Sequence, residues 1–166
     1  MTGGSQTASL AERPEAMFYH LTRRPLEAVV PDLLMRCLAR NWRVTLRSVT
    51  AERAAALSAH LWSFRDEAFL PHGLPDDGHA ARQPIYLTSG LERPNAPDVL
   101  MLVESAGASD AEFAGHRRVV ALFDGHDETA VAQARGLWRQ AMAAGALAVY
   151  WAEEEGGRWV RRADSG

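Results

Sequence analysis

Four side chains that can bind metal ions lie close together in the segment from 71 to 79. They are two imidazoles and two carboxylates, from His72, Asp76, Asp77 and His79. Zinc accepts such ligands, but this spacing matches no closed set of zinc ligands. The pair of aspartates before Gly78 is equally typical of a turn. A metal-dependent hydrolase built on these residues stays open as an alternative, while our main interpretation expects no metal ion and no cofactor.

The motifs of nucleotide-binding and serine hydrolase sites are missing. After the first predicted strand the chain reads His-Leu-Thr-Arg-Arg-Pro at 20–25, with no glycine, and the whole sequence contains no lysine. Without glycines the backbone N–H groups cannot approach a pyrophosphate closely. Ser89 and Ser105 lack the glycines of a nucleophile elbow. We therefore expect no catalytic residues, and a degenerate nucleotide hydrolase remains only as an alternative.

A stripe of arginine and tryptophan is predicted on the last helix, residues 128–144. Arg135, Trp138, Arg139 and Met142 follow offsets of three and four, whereas Val131, Ala134, Leu137 and Ala141 form a separate apolar stripe. The apolar stripe should face the sheet, so the arginines and Trp138 are predicted to point outward. Such a cluster suits an acidic peptide with an aromatic end, or equally a stacked base with its phosphate.

A second group of large apolar side chains lies where the pattern changes from helix to loop. Trp62, Phe64, Phe69 and Leu70 fall within nine residues of one another. Each of them could cover the core, but together on an irregular segment they make a plausible anchor for a partner protein, because aromatic residues dominate interface hot spots.

The elements that position these residues alternate between strands and helices. Strands are predicted at 16–21, 42–49, 84–88, 98–104, 117–123 and 146–152, with a stub at 159–162, and helices at 26–40, 51–62, 110–114 and 128–144. Continuous apolar strands between helices are typical of an α/β domain with three layers, in which helices cover both faces of a mostly parallel sheet. Three local details are also predicted: the regular part of the first helix begins near Pro31, Thr50 is an N-cap, and the strand at 42–49 is half-buried.

Length and composition agree with a single domain. The chain has 166 residues, a net charge of −3 and 47% hydrophobic residues. We expect a flexible leader at 1–13, the α/β domain at 14–152 and a charged C-terminal tail at 153–166. The single cysteine, Cys37, excludes an internal disulfide, and no apolar stretch is long enough for a transmembrane helix, so a cytoplasmic protein is expected. The negative charge argues against a direct single-stranded nucleic-acid binder, which stays an alternative.

Several short motifs together resemble one protein family. The motifs are Phe18-Tyr19, Leu61-Trp62, the Phe-Leu-Pro-His-Gly run at 69–73, Pro84-Ile85, Asp98-Val99-Leu100, Arg135, Trp138-Arg139 and Ala144-Gly145. Over about 16–151 they are similar to the chi subunit of the bacterial DNA polymerase III holoenzyme, a clamp-loader accessory protein. Family members often carry tyrosine and lysine where this chain has Trp138 and Arg139, and this chain has the longer tail.

The resemblance implies a function without catalysis. It implies a Rossmann-like topology with no nucleotide site, in an adaptor that links the clamp loader to the acidic C-terminal tail of single-stranded DNA-binding protein during DNA replication. By similarity, Arg135, Trp138 and Arg139 would bind that tail, and Trp62, Phe69 and Leu70 would bind the psi subunit or the clamp loader. Nucleic acid would then be contacted only indirectly, and no membrane is involved.

Overall fold

An eight-stranded sheet forms the centre of the computed structural model, which describes residues 13–63, 70–156 and 158–165. The strands lie in the order β3-β4-β2-β5-β6-β1-β7-β8. Their bounds are β1 Glu15–Leu21, β2 Val44–Arg47, β3 His72–Gly73, β4 Ile85–Thr88, β5 Val99–Val103, β6 Arg118–Asp124, β7 Leu147–Glu153 and β8 Trp159–Asp164. Neighbouring strands are parallel except β7 and β8, which are antiparallel. Apart from Arg13, the predicted leader lies outside the described residues.

Helices cover both faces of this sheet. They are α1 Leu26–Ala39, α2 Ala51–Ser63, α3 Asp110–Gly115 and α4 Glu128–Ala143, with short 3₁₀ turns at Pro75–Asp77 and Ala80–Arg82. Helices α1 and α2 share one apolar cluster with the sheet, and α3 and α4 share another on the opposite face. The predicted α/β class, with a mostly parallel sheet in three layers, is confirmed. No helix among the described residues is long and apolar enough to cross a bilayer.

Alternation along β1 shows how one strand serves both clusters. Met17, Tyr19 and Leu21 pack in the cluster of α1 and α2, whereas Ala16 and Phe18 pack in that of α3 and α4. Successive side chains of a strand point to opposite faces, so a strand with helices on both sides is apolar throughout.

Helix α1 begins five residues earlier than the position expected from Pro31. The prediction that regular helix starts near this proline is wrong, because Pro31 lies inside α1 and is buried. Proline has no N–H, so it cannot bond the carbonyl four residues earlier, that of Glu27. In the structure the His60 Nε2 atom, on α2, lies 2.7 Å from that Glu27 oxygen. A side chain from the neighbouring helix therefore replaces the hydrogen bond that the proline removes.

Strand β2 is fully buried, whereas its alternating pattern predicted a half-buried strand. Its polar side chains point into the protein and are paired there. The Thr45 hydroxyl donates to Asn95 Oδ1 at 2.7 Å, and Arg47 Nη2 lies 2.8 Å from Glu112 Oε2. Burying polar groups is tolerated when they are hydrogen-bonded. The alternation of apolar and polar residues therefore shows that the two faces of β2 differ in polarity, but it does not show that one face is exposed to solvent.

The ends of the sheet differ from the sequence-based expectation. Strand β8 runs to Asp164 instead of forming a stub that stops at 162, and the two-residue strand β3 lies between the predicted helix at 51–62 and the predicted strand at 84–88, where the sequence predicts no element. The N-cap at Thr50 is confirmed, since its hydroxyl oxygen accepts from the Arg53 N–H at 3.1 Å.

Candidate functional site

Helix α4 is held firmly at both ends. At its start the Asp127 carboxylate accepts hydrogen bonds from the N–H groups of Thr129 at 2.9 Å and Ala130 at 3.3 Å. Just beyond its end, Gly145 has φ +88°, a conformation that favours glycine and stops the helix. Ala134 and Ala141 are buried on one face of the helix, as the predicted apolar stripe requires. Because both ends of α4 are defined, the direction in which the side chains on its other faces leave the helix is also defined.

Trp138 lies half-buried at the border between α4 and the sheet. Its ring centroid is 5.5 Å from that of Phe18 and 6.2 Å from that of Tyr150, in tilted and edge-on arrangements. Such pairs are favourable beyond the area they bury. The sequence predicts that Trp138 points outward, but in the structure one side of the indole packs on the core. The rest of the ring stays accessible, so the indole forms a rigid apolar platform.

Arg135 and Arg139 are exposed on either side of this platform along the helix. Within the described part of the chain neither guanidinium forms an ion pair. The sequence from Thr129 to Ala152 contains no acidic residue, so the stripe keeps its positive charge. The structure thus brings the three predicted residues of this stripe together on one surface, which we call the α4 surface.

Two further side chains belong beside this surface and were missed by sequence reasoning. His20 Nδ1 and the Tyr150 hydroxyl lie 2.5 Å apart, and their rings are 5.7 Å apart. Burial raises the pKa of Tyr150, although the positive charge of Arg135 opposes the rise. On the adjacent strands β1 and β7, Tyr150 pairs with Phe18, and His20 lies two residues further along β1 on the same face of the sheet. Only knowledge that β1 and β7 are neighbours could have joined residues 130 positions apart.

The carboxyl edge of the sheet contains a cleft of about 550 Å³ between β1 and β6. Here the connections from β1 and β6 leave in opposite directions, which is where open α/β sheets bind ligands. The N–H groups of Thr22, Arg23 and Arg24 donate to Glu153 Oε1 at 3.4, 3.4 and 3.3 Å, and Arg24 Nε donates to Oε2 at 3.0 Å. A carboxylate of the chain itself therefore occupies the donors that a phosphate would need.

Residues of the second predicted surface have different environments. Trp62 is 59% exposed, and its ring centroid lies 4.5 Å from that of His72. Leu70 is only 2% exposed and packs in the core with α1 and α2, so it supports this region from beneath. Phe69 lies outside the described residues. Trp62 is consequently the one large apolar group of this set that the described residues present to a partner.

The structure does not bring His72, Asp76, Asp77 and His79 together as a set of metal ligands. His72 is buried, with Nδ1 2.6 Å from the Leu70 carbonyl and Nε2 3.1 Å from Ser58 Oγ. The Asp77 carboxylate accepts from the Leu74 N–H at 2.8 Å, as expected of a turn. Among the residues that the structure describes, no three His, Cys, Asp or Glu side chains come together as a potential metal site.

Comparison with known proteins gives two matches. The model of a family described as "DNA polymerase III chi subunit, HolC" matches residues 14–148. A protein of Rickettsia prowazekii (strain Madrid E), named "Probable DNA polymerase III subunit chi", is 28% identical over 85 residues. That alignment covers 51% of this chain and 52% of the Rickettsia protein, so the chain spans about half the length of the curated relative it matches.

Proposed function

The chain belongs to the DNA polymerase III chi family, and we propose that it is a non-catalytic adaptor that links the clamp loader to the acidic C-terminal tail of single-stranded DNA-binding protein. The family match confirms the resemblance seen in the sequence motifs and assigns the chain to DNA replication. The link to each partner is our proposal, because it depends on the surfaces described above.

The observation that supports tail binding most strongly is the composition of the α4 surface. Two exposed guanidinium groups flank a half-buried indole, with no acidic residue in the sequence from 129 to 152. Guanidinium groups pair with carboxylates in fork geometry, and the indole offers apolar area for the last side chain of the tail. Each arginine contact contributes about 0.5–1.5 kcal/mol and burial of one phenylalanine about 2 kcal/mol. Two such arginine contacts and the phenylalanine together contribute about 3–5 kcal/mol, which corresponds to roughly millimolar affinity that weakens with salt.

Replacing Arg139 by alanine should weaken this interaction about tenfold. One of the two flanking charges is lost, while the packing of Trp138 on Phe18 and Tyr150 is untouched. The measurement is titration calorimetry with a synthetic acidic peptide that ends in phenylalanine with a free carboxylate. The same peptide without its final phenylalanine should bind the wild-type protein much more weakly.

A matched control is Arg82→Ala, which removes an exposed arginine far from α4 in the sequence. It should bind the peptide as the wild type does. Equal binding by wild type and Arg139→Ala would show that the tail does not use the α4 surface. Binding of a single-stranded oligonucleotide to the same surface, lost in Arg139→Ala and strongly reduced by salt, would favour the nucleic-acid alternative instead.

We place the contact with the psi subunit or the clamp loader on the surface around Trp62. An indole that is 59% exposed and packs in a tilted arrangement against a buried imidazole is a preformed anchor, because the His72 ring beside it is fixed by hydrogen bonds. Leu70 contributes by packing in the core below. This surface lies on the α2 side of the sheet, and the α4 surface lies on the opposite side, so the two partners can bind at once.

The double variant Trp62→Ala, Phe69→Ala should lose recruitment of psi or the clamp loader and keep tail-peptide affinity within about twofold. The reason is that the two surfaces share no residue. The measurement is co-elution with the partner subunits, with peptide calorimetry on the same sample. Trp62→Ala alone should unfold at nearly the wild-type denaturant concentration because the ring is exposed. Loss of both activities together would show that these aromatics serve the fold.

A further inference from the structure

A small cavity lies between the C-terminal half of α1 and the strands β1, β5, β6 and β7. Its volume is about 230 Å³, below the roughly 300–1,000 Å³ of sites for drug-sized ligands but sufficient for one large side chain. We call it the α1 pocket. It lies on the face of the sheet opposite to α4, and the proposed tail interaction does not use it.

The rim of the α1 pocket is rich in arginine. Arg36, Arg40 and Arg118 line it, together with Trp42. The guanidinium carbons of Arg40, Arg117 and Arg118 lie 4.9, 5.4 and 5.0 Å from the centre of the Trp42 ring. Cation–π contacts hold these guanidinium groups in place while leaving their N–H donors available to an anion.

Positive charge at this rim is only partly balanced. Arg118 Nη2 pairs with Glu15 at 2.9 Å, and Arg117 Nε lies 3.9 Å from Asp98. Arg36 and Arg40 form no ion pair within the described residues. Four guanidinium groups thus face two carboxylates in a chain whose net charge is −3. The buried Arg118 Nε atom has no hydrogen-bond partner among the described residues, which is an uncommon and costly state.

The floor of the α1 pocket is apolar. Leu33, Met101 and Val120 line it from three different elements. These three side chains offer no hydrogen-bond partner to the polar edge of a nucleobase, which leaves only the Tyr19 hydroxyl and the rim to replace its lost water. A hydrocarbon or phenyl group would gain by the same burial. The floor therefore favours an apolar amino-acid side chain, and the rim favours carboxylates beside it.

We propose that the α1 pocket binds an acidic peptide segment, which inserts one large apolar side chain onto the floor while neighbouring carboxylates pair with Arg36, Arg40 and Arg118. The pocket is a second peptide site on the sheet, separate from the α4 surface. Recognition needs no chain terminus, because the rim offers guanidinium groups to side-chain carboxylates on either side of the inserted residue.

The probe is a blocked, fluorescently labelled peptide, acetyl-Asp-Glu-Asp-Phe-Asp-Glu-Asp-amide, with a version that carries alanine in place of phenylalanine. Fluorescence anisotropy with the full chain should show binding of the phenylalanine peptide and about tenfold weaker binding of the alanine peptide. Arg40→Ala should weaken the phenylalanine peptide about tenfold, whereas Arg82→Ala and Arg139→Ala should leave its affinity unchanged. Arg40 is exposed, so its replacement is expected to leave the fold intact.

Cys37 reports where the peptide binds. It is the only cysteine of the chain and lines the α1 pocket. Saturating phenylalanine peptide should slow its reaction with a thiol reagent at least about fivefold. If the free protein does not react, the anisotropy series decides alone. The proposal is overturned if Arg40→Ala and wild type bind equally, if binding is lost in Arg139→Ala instead, or if a single-stranded oligonucleotide protects Cys37 and the peptide does not.

Discussion

Glu112→Gln is expected to lower the free energy of unfolding by about 3–5 kcal/mol, the range measured when one partner of a buried ion pair is removed. Both partners are buried, with Arg47 3% and Glu112 7% exposed. The guanidinium donates in fork geometry, Nη1 to Oε1 at 3.0 Å and Nη2 to Oε2 at 2.8 Å. Glutamine leaves Arg47 as a buried charge without its counterion. The measurement is urea unfolding followed by circular dichroism.

The matched control is Glu104→Gln, which removes an exposed carboxylate that pairs with Arg53 at 2.7 Å. An exposed pair contributes about 0–1 kcal/mol, so this variant should unfold close to the wild type. Equal and small losses for both variants would show that the Arg47–Glu112 pair contributes no more than a surface pair.

The same ion pair predicts a definite pH dependence. The hydrogen bond from Arg47, assisted by Arg93 and opposed by burial, lowers the pKa of Glu112 from 4.5 to about 2. Because the folded-state pKa lies below the unfolded value, the stabilisation is complete above pH 4.5 and is lost as the pH falls towards about 2. The stability difference between wild type and Glu112→Gln should shrink across this interval. A difference that is constant down to pH 2 would contradict the assignment.

Glu153→Ala should lower the free energy of unfolding by about 2–4 kcal/mol, because it removes the acceptor of three backbone N–H groups and of Arg24. Burial raises the pKa of Glu153, but these hydrogen bonds outweigh it and the pKa is lowered overall. The control is its neighbour, Glu154→Ala, whose partners Arg158 and Arg162 are exposed. That change should cost less than about 1 kcal/mol.

A rescue experiment tests whether the Glu153 carboxylate blocks anion binding to the backbone at the carboxyl edge of the sheet. In Glu153→Ala the N–H groups of residues 22–24 are free to donate hydrogen bonds to an anion, as in phosphate-binding turns. Added sulfate should then raise the unfolding temperature of the variant more than that of wild type. Since sulfate also stabilises proteins in general, only the difference between the two is informative. Equal increases would show that the donors rearrange when Glu153 is lost.

Most of the fold could be predicted because the relevant signals are local. The spacing of apolar residues predicted the last helix at 128–144, and the structure gives Glu128–Ala143. The continuous apolar run of β5 likewise predicted a strand covered on both faces, which is confirmed by its burial. Both signals are contained within a few turns of helix or a single strand.

What could not be predicted depends on contacts between distant residues. The local sequence predicts a helix start near Pro31, because it cannot show the hydrogen bond from His60 to the Glu27 carbonyl. The same limit hid the pair of His20 and Tyr150 beside Trp138. The offsets of Arg135, Trp138 and Arg139 predicted that they share one stripe of the helix. The burial of the indole, in contrast, depends on its contacts with Phe18 on β1 and Tyr150 on β7.

The two borders of the sheet restrict how this protein can join an assembly. On one side β3 has two residues, too few to template another strand. On the other, β8 carries Arg161, Arg162 and Asp164 and is interrupted by a bulge opposite Tyr150 and Trp151, features that discourage strand addition. These features disfavour backbone pairing with partners or further copies of the chain, and favour contacts made by side chains above or below the sheet. Assembly by this route can be reversed without unravelling a shared hydrogen-bond ladder.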